Sequence, residues 1–351
     1  MKILLTGTRA PATLDLARRL SAEGAEVIGA DSMRYPTGRF SRAFRRHHRL
    51  PSPRHHHAVF ASALIDLVTS EKVDLLWPTC EEVFHIAKLH EPLSSITRVL
   101  APPMERLIRL HDKLQFARYT QQLGNPVQAP ESWSAEGAPC NVHLVWKPCY
   151  SRFGSRTLFG TPPSDTKGWM AQEFITGQEF CSFALCVEGQ VNVLTFYTAA
   201  VRVGKGASCA FVPHWSADAA EFVVAVAKDL HLTGCIAFDF IQRDNGQVMV
   251  IECNPRLTSG LHVLEPSVSL VGALARPVAM PPPQRACQLL LPTLLANPRM
   301  AGKSTDVMQC KWDPAPVWGQ ALAVLEFVCK GVAHGISPTA ATTYDIEYNG
   351  D

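Results

Sequence analysis

The first hundred residues alternate short apolar runs with longer stretches of helical period. Lys2–Leu5 is apolar and is closed by the turn Thr6-Gly7-Thr8, which predicts a buried strand. Residues 11–22 follow with proline at the start and Gly24 just past the end, the polarity expected of a helix. Glu26–Ala30 predicts a second strand ending in Asp31, Ala58–Ser70 a second helix, and Val73–Trp77 a third strand. Strand and helix in alternation predict a parallel, doubly wound sheet over residues 1–104. Arg39, Arg42, Arg45, Arg46 and Arg49, followed by His55-His56-His57, lack the aromatic series of a nucleic-acid surface and read as a solvated connection.

Farther on, Leu110-His111-Asp112-Lys113-Leu114 leads into a helix that Gly124 and Pro126 stop. Short strands and turns are expected from His143 to Cys186, a helix from Asp218 to Leu230, and a hairpin over 235–254. The remainder, 262–351, mixes helices with proline-rich loops. The expected division is 1–104, 105–175 and 176–351.

The hairpin carries the most chemistry. Asn245-Gly246 between two apolar runs predicts a two-residue type I′ turn, which sets Asp244 opposite Gln247 and Asp239 opposite Glu252. Opposed side chains share a face about 5 Å apart, and Asn254, two residues on, joins them. Two carboxylates facing each other on an apolar hairpin repel unless they are protonated or matched by cations. Hard oxygen ligands on one face suit Mg²⁺. Arg256 follows directly.

Composition narrows the alternatives. The 351 residues are 47% hydrophobic and 18% charged, with a net charge of +2. That describes a globular protein of two or three domains and gives no electrostatic case for nucleic acid or a membrane surface. The eleven cysteines stand singly in apolar runs, without C-x-x-C pairs, which points to buried thiols in a reducing compartment. No stretch offers the ~20 uninterrupted apolar residues of a membrane span. Thr6-Gly7-Thr8 lacks the later glycines of G-x-G-x-x-G, so classical dinucleotide binding is not expected, although the turn could still touch an anion.

The segment Phe238-Asp239-Phe240…Ile251-Glu252-Cys253-Asn254-Pro255-Arg256 resembles the metal-binding end of the ATP-grasp superfamily. The resemblance extends over nearly the whole chain. It implies an α/β protein: a Rossmann-like N-terminal domain followed by a two-lobed ATP-grasp α+β fold. It implies phosphate contacts by Lys113 and Lys147, a loop Ser151-Arg152-Phe153-Gly154-Ser155 over the phosphates, and Mg²⁺ (or Mn²⁺) on Asp239, Glu252 and Asn254. The segment from Gln172 to Glu179 is similar to the hinge. There Gln172 or Glu173 takes the first acidic position, backbone atoms of Phe174 and Ile175 hold adenine, and Glu179 takes the ribose.

Arg256 would stabilise the transferred phosphoryl group, and Arg202, in Ala200–Gly206, would hold the substrate carboxylate. Trp77-Pro78-Thr79-Cys80-Glu81-Glu82 resembles a segment of a bacterial group of these enzymes. Glu81 or Glu82 there would meet a substrate amine or, equally, favour a helix N-terminus. His262 is a candidate for the acceptor site or a plain core histidine. The tail Tyr344–Gly350 resembles the same group. The implied activity is ATP- and Mg²⁺-dependent joining of a small carboxylate to an amine through an acyl phosphate, in the cytoplasm, with a homodimer among the expected partners. A carboxylase-type or nucleotide-biosynthesis enzyme and a non-catalytic ATP-binding regulator are the alternatives.

Overall fold

The computed structural model describes residues 1–140, 142–152, 154, 156–204 and 207–350. Three sheets organise them. The first is five-stranded and parallel, in the order β3-β2-β1-β4-β5, from β1 (Lys2–Thr6), β2 (Glu26–Asp31), β3 (Arg46–Arg49), β4 (Leu75–Trp77) and β5 (Arg98–Val99). The helices Pro11–Ala22 and His57–Glu71 connect its strands. β1, β2 and β4 are buried on both faces, as a parallel sheet covered on each side requires.

The edge strand β3 corrects the sequence reading of this arginine-rich stretch as a connection. Its residues Arg46-His47-His48-Arg49 pair with Ile28–Asp31. Charge suits it to this place, because a charged rim discourages pairing with another chain.

The second sheet is antiparallel, in the order β6-β9-β7-β8: β6 (Ser132–Ser134), β7 (Leu144–Pro148), β8 (Leu158–Phe159) and β9 (Trp169–Glu173). The third has seven strands, in the order β14-β13-β10-β11-β12-β15-β16. These are β10 (Gln178–Val187), β11 (Gln190–Val203), β12 (Ala207–His214), β13 (Gly234–Gln242), β14 (Val248–Asn254), β15 (Cys287–Gln288) and β16 (Thr305–Asp306).

Period-2 alternation gives the third sheet two different faces. Phe180, Phe196, Phe238 and Phe240 point to one side, where Phe116 and Phe222 of the helices Lys113–Gln122 and Ala217–Asp229 cover them. Phe183, Leu185 and Cys235 point to the other, into a core shared with Leu5, Leu16 and Trp77 of the first sheet and its helix. The Trp77 indole N–H meets Cys235 Sγ at 3.3 Å, so the carboxyl end of β4 abuts the large sheet. Cys181 and Asp239, on this second side, lie beyond the shared core.

The end of the chain returns to the first sheet. Asp313 accepts from Arg18 and Ser41, and Asp345 pairs with Arg9 at 2.8 Å and Lys330 at 3.0 Å. Tyr348 stacks on Phe84 at 5.5 Å. All eleven cysteines are free thiols, and among the described residues no helix is long and apolar enough to cross a membrane.

Candidate functional site

The hairpin β13–β14 puts Asp239 opposite Glu252, as its pattern predicts, but by another route. The turn is not a two-residue type I′ turn, because only Gly246, with φ of 87°, enters the left-handed region. Gly246 N–H donates to the Arg243 carbonyl and Arg243 N–H to that of Gln247, both at 2.9 Å. The loop is therefore Asp244-Asn245-Gly246, with the Asn245 carboxamide accepting from Gln247 N–H at 3.0 Å. This shifts the pairing by one residue, so that Gln242 faces Val248 and Phe240 faces Val250. A bulge at Ile251 shifts it back, and Asp239–Glu252 and Ala237–Asn254 are restored.

Asp239 also lies opposite Cys181, and Cys181 opposite Tyr197. A row Tyr197–Cys181–Asp239–Glu252 thus crosses four strands on one face. Burial raises the Asp239 carboxyl well above the ordinary range, and the Glu252 charge raises it further. Burial alone would raise Glu252 too, but Lys113 and then Lys147 hold it low.

Both lysines reach this row from other elements. Lys113 opens its helix, whose N-cap Asp112 accepts from Leu114 and Gln115 N–H. Its Nζ lies 3.2 Å from Glu252 Oε2 and donates to the Ser151 carbonyl at 3.0 Å. Lys147, on β7, donates to Gln172 Oε1 on β9 at 2.8 Å, and Gln172 in turn donates to Ser132 Oγ at 3.1 Å. Burial lowers the Lys147 ammonium to about 8, against the pull of Glu252. A point charge this poorly hydrated is ready to exchange its solvation for an anion.

Of the two residues expected at the first hinge position, Gln172 faces Lys147, whereas Glu173 pairs with Arg243 at 2.9 Å. Phe174 N–H donates to the His143 carbonyl at 2.8 Å, and Ile175 is buried. Gly177 follows with φ of 157°; a Cβ there would lie 2.1 Å from the Gln242 carbonyl oxygen, so the hinge crosses β13 too closely for any side chain. Glu179 pairs with Arg202 at the exposed ends of β10 and β11. Of the loops expected around the site, Phe153, Ser155, Lys205 and Gly206 lie outside the described residues.

The carboxyl end of β4 adds an ion cluster that sequence spacing does not reveal. Glu81 is buried; Oε1 accepts from Arg256 Nε at 2.8 Å, and Oε2 lies 2.9 Å from Arg152 Nε. Burial would raise its carboxyl, but the two guanidiniums, Arg152 foremost, hold it well below the carboxylate range. Arg152 comes from the loop after β7, Arg256 from just past β14, and Glu81 from the turn after β4. Arg152 also reaches the tail, at Asn349 Oδ1. Glu82 instead turns inward, where Oε1 accepts from Thr6 Oγ1, Thr79 N–H and Cys80 N–H. His262 is a core residue whose Nδ1 meets Asp15 at 2.8 Å.

The arrangement holds two apposed carboxylates and a carboxamide on one face, two lysines beside them, and two arginines locked on a buried glutamate. Two carboxylates and a carboxamide are a donor set that fits Mg²⁺, which keeps waters and takes phosphate oxygens to complete its shell. The elevated Asp239 carboxyl, forced up by burial and by Glu252, is what a cation between them would relieve.

Residues 110–260 match the family model of the ATP-grasp domain. Among curated proteins, no sequence matches the chain. The fold is similar to N5-carboxyaminoimidazole synthetase from Staphylococcus aureus complexed with ADP, with a TM-score of 0.61, 14% identity, and coverage of 81% of this chain and 80% of that one. It is also similar to L-amino acid ligase from Bacillus licheniformis, with a TM-score of 0.57, 16% identity, and coverage of 78% and 74%. The biotin carboxylase domain of 2-oxoglutarate carboxylase from Hydrogenobacter thermophilus, in complex with MgADP, gives 0.61, 13%, 80% and 71%. At such identities these are likenesses of fold.

Proposed function

We propose, from the premise that this chain carries an ATP-grasp domain, that it is an ATP- and Mg²⁺-dependent ligase joining a small carboxylate to an amine in the cytoplasm. The single observation that carries the reading is that Lys113 and Lys147, the latter held by Gln172, act on Glu252 opposite Asp239, with Arg256 acting on Asp239.

A carboxylate resists attack because its charge repels nucleophiles and oxide does not leave. Phosphorylation removes both obstacles. A substrate carboxylate oxygen attacks the γ-phosphorus, the bond to the β–γ bridging oxygen breaks, and ADP leaves. The amine then adds to the acyl carbon, phosphate departs, and the nitrogen loses a proton. Little of this requires covalent chemistry from the protein, so positioning and charge neutralisation dominate.

Lys113 and Lys147 are assigned to the phosphates of ATP. Asp239, Glu252 and Asn254 are assigned to Mg²⁺, which when bound neutralises charge on the phosphates. Arg256 is assigned to the transferred phosphoryl group, and Arg152 to closing the same anion site from the loop above it. Gln172 is assigned to orienting Lys147, the backbone of Phe174 and Ile175 to adenine, and Glu179 to the ribose. Its partner Arg202 is assigned to the substrate carboxylate near that edge. The three sheets divide the work: the first brings Glu81, the second Lys147 and Gln172, the third the metal-type face.

Two measurements test this. Product analysis over a panel of amino acids and other small acids paired with amines is expected to give ADP and phosphate, released only when both substrates are present. AMP and pyrophosphate would overturn the assignment, and binding of ATP without turnover of any pair would favour a regulator. Lys147→Ala and Lys113→Ala are each expected to weaken Mg²⁺·ATP binding by about tenfold or more, as loss of one charge-assisted contact does. Calorimetry checks this; unchanged affinity in both would remove the phosphate assignments. Lys113→Ala should in addition lower the melting temperature of the nucleotide-free protein, because Glu252 loses its nearest cation.

A further inference from the structure

The helix Ala315–His334 docks on the first sheet's domain through Pro316, Gly319, Ala323 and Gly331. Gly319 lies so close to Phe40 that a Cβ would fall 2.3 Å from its ring. The two residues of the helix charged at neutral pH face that side: Glu326 accepts from Arg34 and Tyr35 N–H, and Lys330 pairs with Asp345. The opposite side is apolar from end to end. Trp318 and Val332 are each 80% exposed, Leu325 57%, Leu322 42% and Val328 40%. A solvated helix face carries polar residues, so a face of this kind marks a contact.

We propose that this face is the interface with a second copy of the chain, the two helices crossing antiparallel about a two-fold axis at Leu325. Three features point to that occupant. The outward positions Trp318, Leu322, Leu325, Cys329 and Val332 are spaced four, three, four and three residues apart, the seam of two packed helices. The seam is nearly palindromic about Leu325. Reversed, it sets Trp318 against Val332 and Leu325 against itself, while Leu322 meets Val328 and Cys329 meets Ala321, each flanking the seam, so large residues meet smaller ones and an identical helix satisfies it, as an isologous contact requires. The area also suffices: the stripe and its flanks expose on the order of 700 Å² per copy, close to the ~800 Å² each partner contributes to a standard interface. A lipid surface is a poorer match, because helices lying on membranes carry lysine and arginine along the polar rim and this rim has none free.

The test is sedimentation velocity of the full chain under reducing conditions across the micromolar range. Wild type is expected to dimerise. Leu325→Glu, which puts two like charges on the axis, is expected to weaken the dimer at least ~100-fold while keeping its melting temperature and its shift with Mg²⁺·ATP. Should Leu325→Glu fail to fold, Leu325→Cys in a Cys329→Ser background decides the matter. On mild oxidation the introduced thiols should form an intermolecular disulfide that Cys329→Ser alone does not. A wild type monomeric throughout, a dimer indifferent to Leu325→Glu, or absence of the crosslink would each overturn the proposal. So would a monomeric wild type that floats with phosphatidylcholine vesicles.

Discussion

Glu252→Gln is expected to lower turnover by at least ~10²-fold and to leave the nucleotide-free fold nearly as stable as wild type. The loss of activity follows from the site: a carboxylate assigned to the metal also anchors Lys113 at 3.2 Å, and removing such a positioning and electrostatic element typically has an effect of that size. The near-neutral stability follows from a balance. Removal of the charge lifts the penalty that Glu252 places on ionising Asp239 across the ladder. It also takes a counter-charge from Lys113 and Lys147. Asp239, no longer opposed, then ionises in its place and supplies the charge those lysines need. Lys113 keeps its bond to the Ser151 carbonyl throughout. Melting curves with and without Mg²⁺·ATP measure both effects. The nucleotide-free midpoint should move by no more than a few degrees, and the increase on adding Mg²⁺·ATP should shrink sharply. A large fall in the nucleotide-free midpoint, with near-normal turnover in the fraction that stays folded, would mean that this carboxylate serves the fold.

This residue also shows how far the sequence reaches. The opposition of Asp239 and Glu252 was legible, although the turn was misread, because the extra loop residue and the bulge at Ile251 cancel. Alternation forces such a cancellation. A net shift of one residue would have turned Glu252 into the phenylalanine core on the other face. Lys113, Lys147 and Gln172 were nameable through family resemblance, yet nothing in their spacing says that Lys147 would meet Gln172 and not Glu173.

β11 left no clear periodic signal, because much of it is buried on both faces and so lacks alternation. β3 was unreadable for the opposite reason, since an edge strand of Arg-His-His-Arg looks like a loop. The tail became intelligible only in three dimensions, where Asp345 neutralises the buried Arg9 and Tyr348 packs on Phe84.

The buried cluster at Glu81 was the least legible feature and carries the largest expected effect on folding. Its side chain is 3% exposed and lies between Arg152, 8% exposed, and Arg256, 22% exposed. Glu81→Gln keeps the shape and removes the charge that the two guanidiniums share: Arg152 keeps Glu347 at 3.6 Å, whereas Arg256 loses the carboxylate it pairs with. Removing one partner of a buried ion pair destabilises by about 3–5 kcal/mol; since Arg256 is partly exposed, the lower end is expected, a fall in melting temperature of roughly 5–10 °C. Activity should fall as well, by about tenfold or more in kcat, because both arginines lose the anchor that aims them at the phosphoryl group. Binding of Mg²⁺·ATP should change little, since Lys113 and Lys147 do not rest on Glu81. This pattern separates two roles. If Glu81 met the amine substrate directly, Glu81→Gln would raise KM for the amine and leave stability unchanged or improved, as removal of a charge kept for function often does. If it anchors the arginines, stability and kcat fall together and KM for the amine holds. Glu81→Asp sharpens the distinction: the charge remains but the reach shortens by one methylene, so one arginine can be held and not both, and the variant should recover part of the stability without recovering kcat.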